Sequence, residues 1–320
     1  MMIHNRYEIL GELGQGAMGT VFHAFDHRDR REVALKRALM PVADADDATL
    51  SMASLPTADR ERMQPTAAES PAAHRVARGA AIPEGAPCTQ SPGSTADRRL
   101  ALVREYRLLR ALRHPNIIRV MEQSFDPCLG LPFYTMERLR APQTLLEAAE
   151  GRSLEGKVRL LMQLLEALEY LHGRGVIHRD IKPSNALVEG ERLTLVDFGI
   201  AELREKQTGA PGSSGTLSYM APELHAGQAA SEASDLFAVG VIAYQMLTGR
   251  HPYKASSLTL MMINVSRGRA NLEASDLEPR LVPVLRGLLA AKPASRFRCA
   301  ARVKTLLASA LEQRRALPEC

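Results

Sequence analysis

The sequence has few of the residues on which several protein classes depend. It contains no tryptophan, and aromatic residues make up only 4% of its 320 residues. Stacking on nucleic-acid bases needs aromatic side chains, so this composition argues against a base-stacking surface. The 41 basic and 36 acidic residues leave a net charge of +5 without a run of Lys and Arg, so we expect no nucleic-acid partner.

Cysteine is scarce and scattered. Cys88, Cys128, Cys299 and Cys320 lie far apart in the chain, with no CxxC pair. This spacing argues against a disulfide framework and against a zinc module built on paired cysteines. A reduced, cytoplasmic compartment is the expectation that follows.

Long apolar runs are missing as well. The most apolar stretch, 236–247, contains a Gly and a Gln and is too short to cross a bilayer, so it predicts a buried helix. The first ten residues, MMIHNRYEIL, lack the charged-then-apolar pattern of a secretory signal. We therefore expect no membrane partner.

Short β-patterns open the chain. Residues 7–13, 19–25 and 32–37 are rich in β-forming residues or alternate apolar with polar ones, and 14–19 and 26–31 separate them as turns. Together these runs predict an antiparallel meander.

The composition changes between residues 43 and 96. Of these 54 residues, 33 are Ala, Pro, Ser, Thr or Gly, six are Leu, Ile, Val or Met, and none is aromatic. So little apolar surface cannot offset the entropy of ordering the chain, and we expect a flexible insertion with at most a transient helix near 58–64. The insertion is either a solvated loop without a specific function or a regulatory segment that acts through its Ser and Thr residues.

Helical periodicity resumes at residue 97. Apolar residues recur there every three or four positions, which predicts a helix over 97–113 that His-Pro-Asn ends. Two strands are expected next, at 117–123 and 132–139. Further helices are predicted at 158–171, 221–224, 233–248, 258–267, 281–291 and 300–313, with short strands at 186–188 and 193–196. A small β-rich half followed by a larger helical half makes the fold class α+β.

The first motif with chemical meaning is the glycine-rich segment GQGAMG at 14–19. The strand pattern TVFHAF follows it, so the glycines are expected at the tip of a β-hairpin rather than at the start of a helix. Because they lack side chains, they let backbone N–H groups approach phosphate oxygens closely. The plainer interpretation is a glycine-rich turn without a ligand.

Lys36 ends the apolar strand Val-Ala-Leu-Lys. A lysine in that place is usually a surface residue that extends its charge into solvent. At this distance past a glycine hairpin it could instead reach phosphates, provided that an anionic partner holds it. The candidate is Glu105 on the predicted helix, since the other glutamates between the two lie in the low-complexity segment. Taken alone, Glu105 would be interpreted as an exposed helix carboxylate.

The strongest signal is the segment HRDIKPSN at 178–185. Asp180 and Asn185 lie five residues apart on one loop, so both can face one cleft. A carboxylate can accept a hydroxyl proton and an amide oxygen can bind a hard cation, while Lys182 adds positive charge for a migrating phosphoryl group. Asp197, in Asp-Phe-Gly after a short apolar strand, is a second hard-cation ligand, and such sparse coordination suits Mg²⁺.

These motifs occur in order and together resemble a known family. The signature set of eukaryotic-like protein kinases is matched by GxGxxGxV at 14–21, VALK at 33–36, a helix Glu, HRDIKPSN at 178–185, DFG at 197–199 and APE at 221–223. The amino-acid sequences of several segments resemble those of the bacterial serine/threonine (Hanks-type) branch. The resemblance covers about residues 7–307, except for the insertion.

The resemblance implies a two-lobed protein kinase fold. A small antiparallel-sheet N-lobe with one main helix is expected at 1–137, interrupted by the insertion at 43–96. A larger, mainly helical C-lobe is expected at 138–313, followed by a tail at 314–320.

The resemblance also implies chemical roles. Asp180 would orient the acceptor hydroxyl as the catalytic base, and Lys182 would neutralise the γ-phosphate. Asn185 and Asp197 would hold Mg²⁺. Phosphoryl transfer depends on positioning and charge neutralisation more than on covalent chemistry, and these residue types supply both.

ATP is the nucleotide that the resemblance implies. Lys36, paired with Glu105, would contact its α- and β-phosphates. Met136 would be the gatekeeper, and Glu137 and Leu139 would offer hinge backbone groups to the adenine edge. The remaining implied contacts are Gly14, Gln15, Gly16, Ala17, Met18 and Gly19 over the phosphates and Leu13, Val21, Ala34 and Leu187 around adenine.

Lys182 further implies serine and threonine acceptors on protein substrates, since tyrosine-specific members of the family usually carry Arg and Ala in this loop. Thr216 matches the family threonine that contacts the catalytic aspartate. Glu223 would pair with Arg296 in a buried ion pair, and Asp235 would brace the catalytic loop.

Regulation is suggested by Arg179, the cation beside the catalytic base. It invites a compensating phosphate on the segment 200–218. Thr208, Ser213 and Ser214 are the candidates for autophosphorylation there, and family spacing favours Thr208.

Two other functions stay open at this point. The chain could be a pseudokinase that serves as a binding scaffold, although every catalytic position carries the expected residue. It could also be a small-molecule phosphotransferase of the aminoglycoside-kinase type, which shares His-x-Asp-x4-Asn and a later Asp. Lys182, the Gly-Thr pair at 215–216 and Ala-Pro-Glu favour a protein acceptor. The sequence leaves the oligomeric state unknown.

Overall fold

The computed structural model describes residues 1–16, 19–39, 95–198, 217–273 and 275–315. All of them belong to one unit, formed by Met1–Met40 and Pro92–Cys320. The predicted insertion and its transient helix lie outside the described residues, except for Thr95 and Ala96, which already form the start of a helix.

Six antiparallel strands form the sheet of the first half. In chain order they are β1 (Met2–Ile3), β2 (Tyr7–Gly16), β3 (Gly19–Asp26), β4 (Arg31–Ala38), β5 (Val120–Asp126) and β6 (Leu131–Met136). They lie in the order β1-β2-β3-β4-β6-β5. The predicted meander is thus confirmed for β2 to β4, and β6 pairs between β4 and β5.

β5 begins three residues later than the sequence indicates, because Ile117 and Ile118 pair elsewhere. Ile117 bridges Leu195, and the N–H of Ile118 donates to the carbonyl oxygen of Leu195 at 3.0 Å. β6 ends at Met136 rather than at 139. The residues predicted to continue it form the connection to the helical half.

The helix α1 (Thr95–Ala111) packs against the sheet. Leu102, Tyr106 and Leu109 are buried at a spacing of three or four residues, so one side of the helix lies against β4, β5 and β6. Glu105 is on the same side and is fully buried. The interpretation of Glu105 as an exposed helix carboxylate is therefore wrong.

The second half is mainly helical. Its helices are α2 (Leu145–Ala149), α3 (Leu154–His172), α4 (Pro222–His225), α5 (Glu232–Thr248), α6 (Leu258–Ser266), α7 (Val282–Leu288) and α8 (Ala300–Arg315). A small sheet of β7 (Gln143–Thr144), β8 (Ala186–Glu189) and β9 (Arg192–Leu195) accompanies them. Within the described ranges, no helix is both long enough and apolar enough to cross a membrane.

Two helices differ from expectation. α2 is absent from the sequence interpretation, although Thr144 and Glu147 form a capping box at its start. α7 ends at Leu288 rather than at 291, and two carbonyl groups shortly after its end accept from a side chain. The guanidinium of Arg296 donates to the carbonyl oxygens of Ala290 and Ala291, at 2.7 and 3.0 Å.

α5 is surrounded by the rest of the helical half. Apolar residues occupy all of its sides, as a fully buried helix requires, and Phe237 at its centre is 0% exposed. Beside it, Arg296 forms two bonds of 2.7 Å to the carboxylate of Glu223, while the Ser234 hydroxyl donates to the same carboxylate at 2.8 Å. The guanidinium also lies 4.9 Å from the ring centre of Phe237. This arrangement ties α4 to α5 and to the segment before α8.

Removing the arginine of this buried pair should be costly. We expect Arg296→Ala to lower the free energy of unfolding by about 3–5 kcal/mol, because it leaves the Glu223 carboxylate buried without its cation. Urea unfolding measures the change. The matched control is Arg250→Ala, which breaks an exposed pair with Asp276 and should cost at most about 1 kcal/mol. Equal losses in the two variants would contradict this interpretation.

Candidate active site

The side chain of Lys36 lies at the centre of the candidate site. It belongs to β4, which is paired on both sides, and the residue is 3% exposed. Its Nζ lies 2.9 and 3.0 Å from the two carboxylate oxygens of Glu105 on α1. It also donates to Oδ1 of Asp197, which follows β9. The sheet, the helix and the segment after β9 therefore meet at one ammonium group.

Burial and charge oppose each other at these three groups. Burial lowers the pKa of Lys36, but the carboxylates of Glu105 and Asp197 outweigh it and raise that pKa well above its ordinary value. Burial raises the pKa of Asp197, but the Lys36 ammonium outweighs it, so that pKa is lowered. At Glu105 burial dominates and raises the pKa, although Lys36 opposes it. At neutral pH the site therefore keeps a charged ammonium beside a charged carboxylate at Asp197.

The loop that carries Asp180 is fixed to the central helix. Asp235 on α5 accepts the backbone N–H groups of His178 and Arg179, both at 2.9 Å, and Nε2 of His172 lies 2.9 Å from the same carboxylate. Arg179 adopts a left-handed backbone with φ of 73°, an unusual conformation for a residue with a side chain. Three contacts to one buried carboxylate hold this strained turn in place.

Asp180, Lys182 and Asn185 face one another at the end of this loop. The ammonium of Lys182 lies 2.7 Å from Oδ2 of Asp180. The amide nitrogen of Asn185 donates to the carbonyl oxygen and to Oδ2 of Asp180, both at 2.9 Å. The side chain of Asp180 keeps 12% of its surface exposed, so a small acceptor group can reach it.

Asp197 lies beside these residues. The amide nitrogen of Asn185 is 3.4 Å from the Asp197 carbonyl oxygen, and the N–H of Val196 donates to the Asn185 carbonyl at 2.8 Å. Asp197 has a φ of 52°, in the left-handed region that Asp tolerates better than most residues. Its side chain is 46% exposed, which leaves the carboxylate open to an ion.

The residue after Asp197 returns the chain to Glu105. The N–H of Phe198 donates to Oε1 of Glu105 at 3.2 Å, and the buried Phe198 ring lies 4.5 Å from the ring of His178. One carboxylate thus receives both the ammonium of β4 and the backbone after β9. Asp197 and Lys36 are held together through this shared partner.

Asn185 and Asp197 are the residues that could hold a metal. The described part of the chain contains no group of three or more His, Cys, Asp or Glu side chains arranged around a metal. One amide oxygen and one carboxylate are hard donors that fit Mg²⁺, which commonly takes only one or two protein ligands and completes its shell with phosphates and water.

The glycine hairpin is more regular than the sequence indicates. Cross-strand pairing continues through Gly14–Val21 and Gln15–Thr20 to Gly16–Gly19, so residues 14–16 and 19, predicted as part of a turn, belong to strands. Ala17 and Met18 lie outside the described residues.

Its three glycines serve different purposes. A Cβ at Gly19 would collide with the backbone carbonyl of Arg37 on β4, so the close approach of two strands requires this glycine. Nothing lies within 4 Å of the corresponding point at Gly14 or Gly16. At these two glycines, unlike at Gly19, the space beside the Cα atom is empty and could admit a ligand.

Two of the predicted adenine contacts lie on the neighbouring strands β4 and β6. Ala34 and Met136 are cross-strand partners and are buried. The side chain of Glu137 is bound within the protein, by Arg192 at 3.0 Å and by the backbone N–H of Arg119 at 3.1 Å. Both contacts use Oε1, so the side chain is engaged within the protein, and the contact predicted for adenine is through its backbone.

The other predicted nucleotide contacts keep unbonded backbone groups or exposed side-chain surface. No hydrogen bond among the described residues uses the Glu137 carbonyl or the Leu139 N–H. Leu13 is 52% exposed, and Val21, Leu139 and Leu187 are half-buried. Apolar side chains that keep part of their surface in solvent are suited to an apolar ligand face.

A cavity lies beside Asp180 that the sequence did not predict. Ile181, Tyr219, Met220 and Leu224 contribute apolar walls to it. The apolar spacing around Ala-Pro-Glu is the only sequence signal for these walls, and it does not show that they face the loop at 178–185.

The regulatory candidates Thr208, Ser213, Ser214 and Thr216 lie outside the described residues.

Comparison with known proteins identifies related chains. The family described as "Protein kinase domain" matches residues 90–307. Serine/threonine-protein kinase pkn2 of Myxococcus xanthus is 38% identical over 162 residues, covering 47% of this chain and 19% of that protein. For pkn3 of the same organism the identity is 39% over 170 residues, covering 48% and 30%. Pkn1 is 31% identical over 221 residues, covering 65% and 32%. The chain thus spans between 19% and 32% of the length of these relatives.

A solved structure gives the fold. The crystal structure of Rad53 in complex with AMP-PNP aligns with a TM-score of 0.64, over 93% of this chain and 64% of that one, at 21% identity. Similarity at this identity establishes the fold alone. The predicted two-lobed fold is confirmed by it.

Burial of His178 should make stability depend on pH. Burial lowers the pKa of this fully buried imidazole, although nearby aspartates oppose the effect. Below the ordinary histidine pKa of about 6.5, the unfolded chain takes up a proton that the folded chain refuses, so stability falls as the pH falls. We expect His178→Phe to remove about 1 kcal/mol of the stability that the protein loses between pH 7.5 and 5.5.

Chemical unfolding at the two pH values measures this difference. His27→Gln, at an exposed histidine in the turn after β3, is the matched control and should leave the loss as in the unchanged protein. An equal loss in the unchanged protein and in His178→Phe would rule out His178 as its source.

Proposed function

The chain belongs to the protein kinase domain family, and we propose that it transfers the γ-phosphoryl group of ATP to serine and threonine hydroxyls of proteins. The observation that carries the proposal is the meeting of Lys36, Glu105, Asp180 and Asp197 from four separate parts of the chain. A cluster of fixed charges beside open glycine backbone is what phosphoryl transfer requires.

Lys36 is assigned to the α- and β-phosphates. A lysine is a compact cation that binds phosphate as a point charge, and it needs a partner to keep its position. Glu105 is that partner, and the N–H of Phe198 fixes Glu105 in turn. The empty space beside Gly14 and Gly16 supports close approach of the same phosphates.

Asp180 is assigned to the acceptor hydroxyl. Its Oδ2 already accepts from Lys182 and Asn185, so the carboxylate is held in one orientation. It accepts the hydroxyl proton as the oxygen attacks the γ-phosphorus, while the bond from that phosphorus to the β–γ bridging oxygen breaks and ADP leaves. Lys182 balances the negative charge that develops on the γ-phosphoryl group.

Asn185 and Asp197 are assigned to Mg²⁺, through an amide oxygen and a carboxylate. When bound, the ion would neutralise phosphate charge. Lys36 keeps Asp197 ionised, since it lowers the pKa of that carboxyl, and so preserves the ligand over the physiological range.

Protein acceptors are favoured over small molecules. The Myxococcus relatives are serine/threonine-protein kinases by name, and this chain carries Lys182 in its segment HRDIKPSN. The two cysteines that the structure describes, Cys128 and Cys299, are free and exposed, in keeping with the reducing cytoplasm proposed from the sequence.

Substitution of the two aspartates tests the function. With labelled ATP, Mg²⁺ and a generic protein acceptor, Asp180→Asn should lower the rate of transfer by about 10²–10⁴, because the base is lost. Asp197→Ala should lower it at least as much. Asp276→Asn, at an exposed carboxylate outside the site, should stay within about twofold. Transfer that persists in both active-site variants would refute the assignment.

We also propose that the chain autophosphorylates the segment 200–218, of which residues 200–216 lie outside the described part of the chain. Within the described part, Nε of Arg179 is buried and has no hydrogen-bond partner. A phosphate has the charge and the acceptors that such a guanidinium lacks.

Phosphopeptide mapping after incubation with ATP and Mg²⁺ should find phosphate on Thr208, Ser213 or Ser214, and Asp180→Asn should carry none. Alanine substitution of these three residues should remove the signal and slow transfer to a protein acceptor. An unmodified segment in the active protein would exclude this form of regulation.

A further inference from the structure

The helix α6 exposes apolar side chains to solvent. Leu258, Leu260 and Ile263 are 36%, 41% and 40% exposed. Leu260 and Ile263 lie three residues apart on one helix face, and we call these two residues the α6 patch, while Leu258 lies toward the other side of the helix. The whole helix, LTLMMINVS, contains no charged residue, whereas the solvent face of a surface helix is normally polar. Clustered exposed apolar residues mark surfaces that bind something.

The α6 patch is held rigidly from below. Met261 and Val265, on the opposite side of the helix, are buried in the cluster that contains Phe237 of α5. The side-chain amide of Asn264 donates to the carbonyl oxygen of Lys254 at 2.9 Å. The inner face is therefore fully used, and α6 cannot bury the patch by rotating.

Cations surround the α6 patch without carboxylates to match them. Lys254, Arg267 and Arg269 are exposed, and we call them the basic rim. Within the described residues, no carboxylate lies within ion-pair distance of any of the three, and the sequence from 251 to 272 has no Asp or Glu. The exposed Arg250, by contrast, is paired with Asp276 at 2.6 Å.

The α6 patch adjoins the acceptor side of the candidate site. The cluster beneath α6 includes Ala221, and Tyr219 and Leu224 pack against it. These three residues also line the cavity beside Asp180. A protein whose hydroxyl reaches Asp180 therefore extends past this helix.

We propose that the α6 patch and the basic rim form a docking surface for an acidic, apolar segment of the protein acceptor, separate from its phosphorylated residue. This inference rests on the proposed function and specifies its substrate class. Leucine-like side chains of the segment cover Leu260 and Ile263, which are neighbours on one helix face. Its carboxylates meet the basic rim, which speeds encounter and selects acidic partners.

Binding is measured without catalysis. In an Asp180→Asn background, the probe is dephosphorylated casein, an acidic protein, followed by fluorescence anisotropy. We expect Leu260→Glu with Ile263→Glu to weaken binding about tenfold or more. Phe125→Glu is the matched control, since Phe125 is an exposed apolar residue on β5, and it should stay within twofold.

A second pair of variants leaves the apolar residues intact. Lys254→Glu with Arg267→Glu should weaken casein binding and reduce its salt dependence, while Arg286→Glu, at an exposed arginine of α7, should do neither. Circular dichroism confirms that all variants are folded.

Kinetics separate docking from chemistry. With Asp180 intact, the Leu260→Glu, Ile263→Glu protein should lose about tenfold in kcat/KM for casein, mostly through KM. For a peptide of about a dozen residues around the casein acceptor site, chosen to carry no acidic, apolar segment beside that site, kcat/KM should stay within twofold, because the peptide lacks the segment that docks on α6.

Three results would overturn the docking surface. The first is an equal loss of kcat/KM for casein and for the peptide, and the second is the absence of saturable casein binding. The third is a change in oligomeric state in the α6 variants, which would make the patch a contact between copies of the chain. Failure of the proposed function looks different. Casein binding would then follow the pattern above, while no protein or peptide is phosphorylated.

Discussion

The arrangement of the active site depends on the carboxylate of Glu105. It is fully buried and receives the ammonium of Lys36 and the N–H of Phe198. A buried carboxylate without such donors is strongly destabilising, so the sheet, α1 and the segment after β9 are stable only in the relative position that satisfies it. The same contacts leave Asp197 beside Lys36 with its side chain half in solvent.

A second buried carboxylate organises the opposite side of the site. Asp235, on the central helix, accepts the backbone of the catalytic loop at His178 and Arg179. The loop is therefore built on the most buried helix of the molecule, and Asp180 follows directly. Glu223 and Arg296 connect that helix to the acceptor side. Structural ion pairs and hydrogen bonds thus position the candidate site, while Asp180 and Asp197 keep part of their side chains exposed.

Much of this could be predicted from the sequence. The α+β class, three of the sheet strands and the pairing of Lys36 with Glu105 follow from periodicity and motif order. The start of β5 could not be predicted, because Ile118 takes a long-range partner, Leu195, that the local pattern does not reveal. The end of β6 could not be predicted either, because the N–H of Glu137 donates to the distant Arg119. The reason for Gly19 is also tertiary, since it depends on the approach of Arg37.

The sequence by itself determined which chemical groups are present and in what order, because motif spacing is a property of the chain. Only the tertiary structure decided which of them are available. In the folded chain the Glu137 side chain is bound by Arg192, one face of α6 is exposed, and a cavity lies beside Asp180. Availability depends on burial and on partners far away in the chain, and neither is encoded in a local pattern of residues.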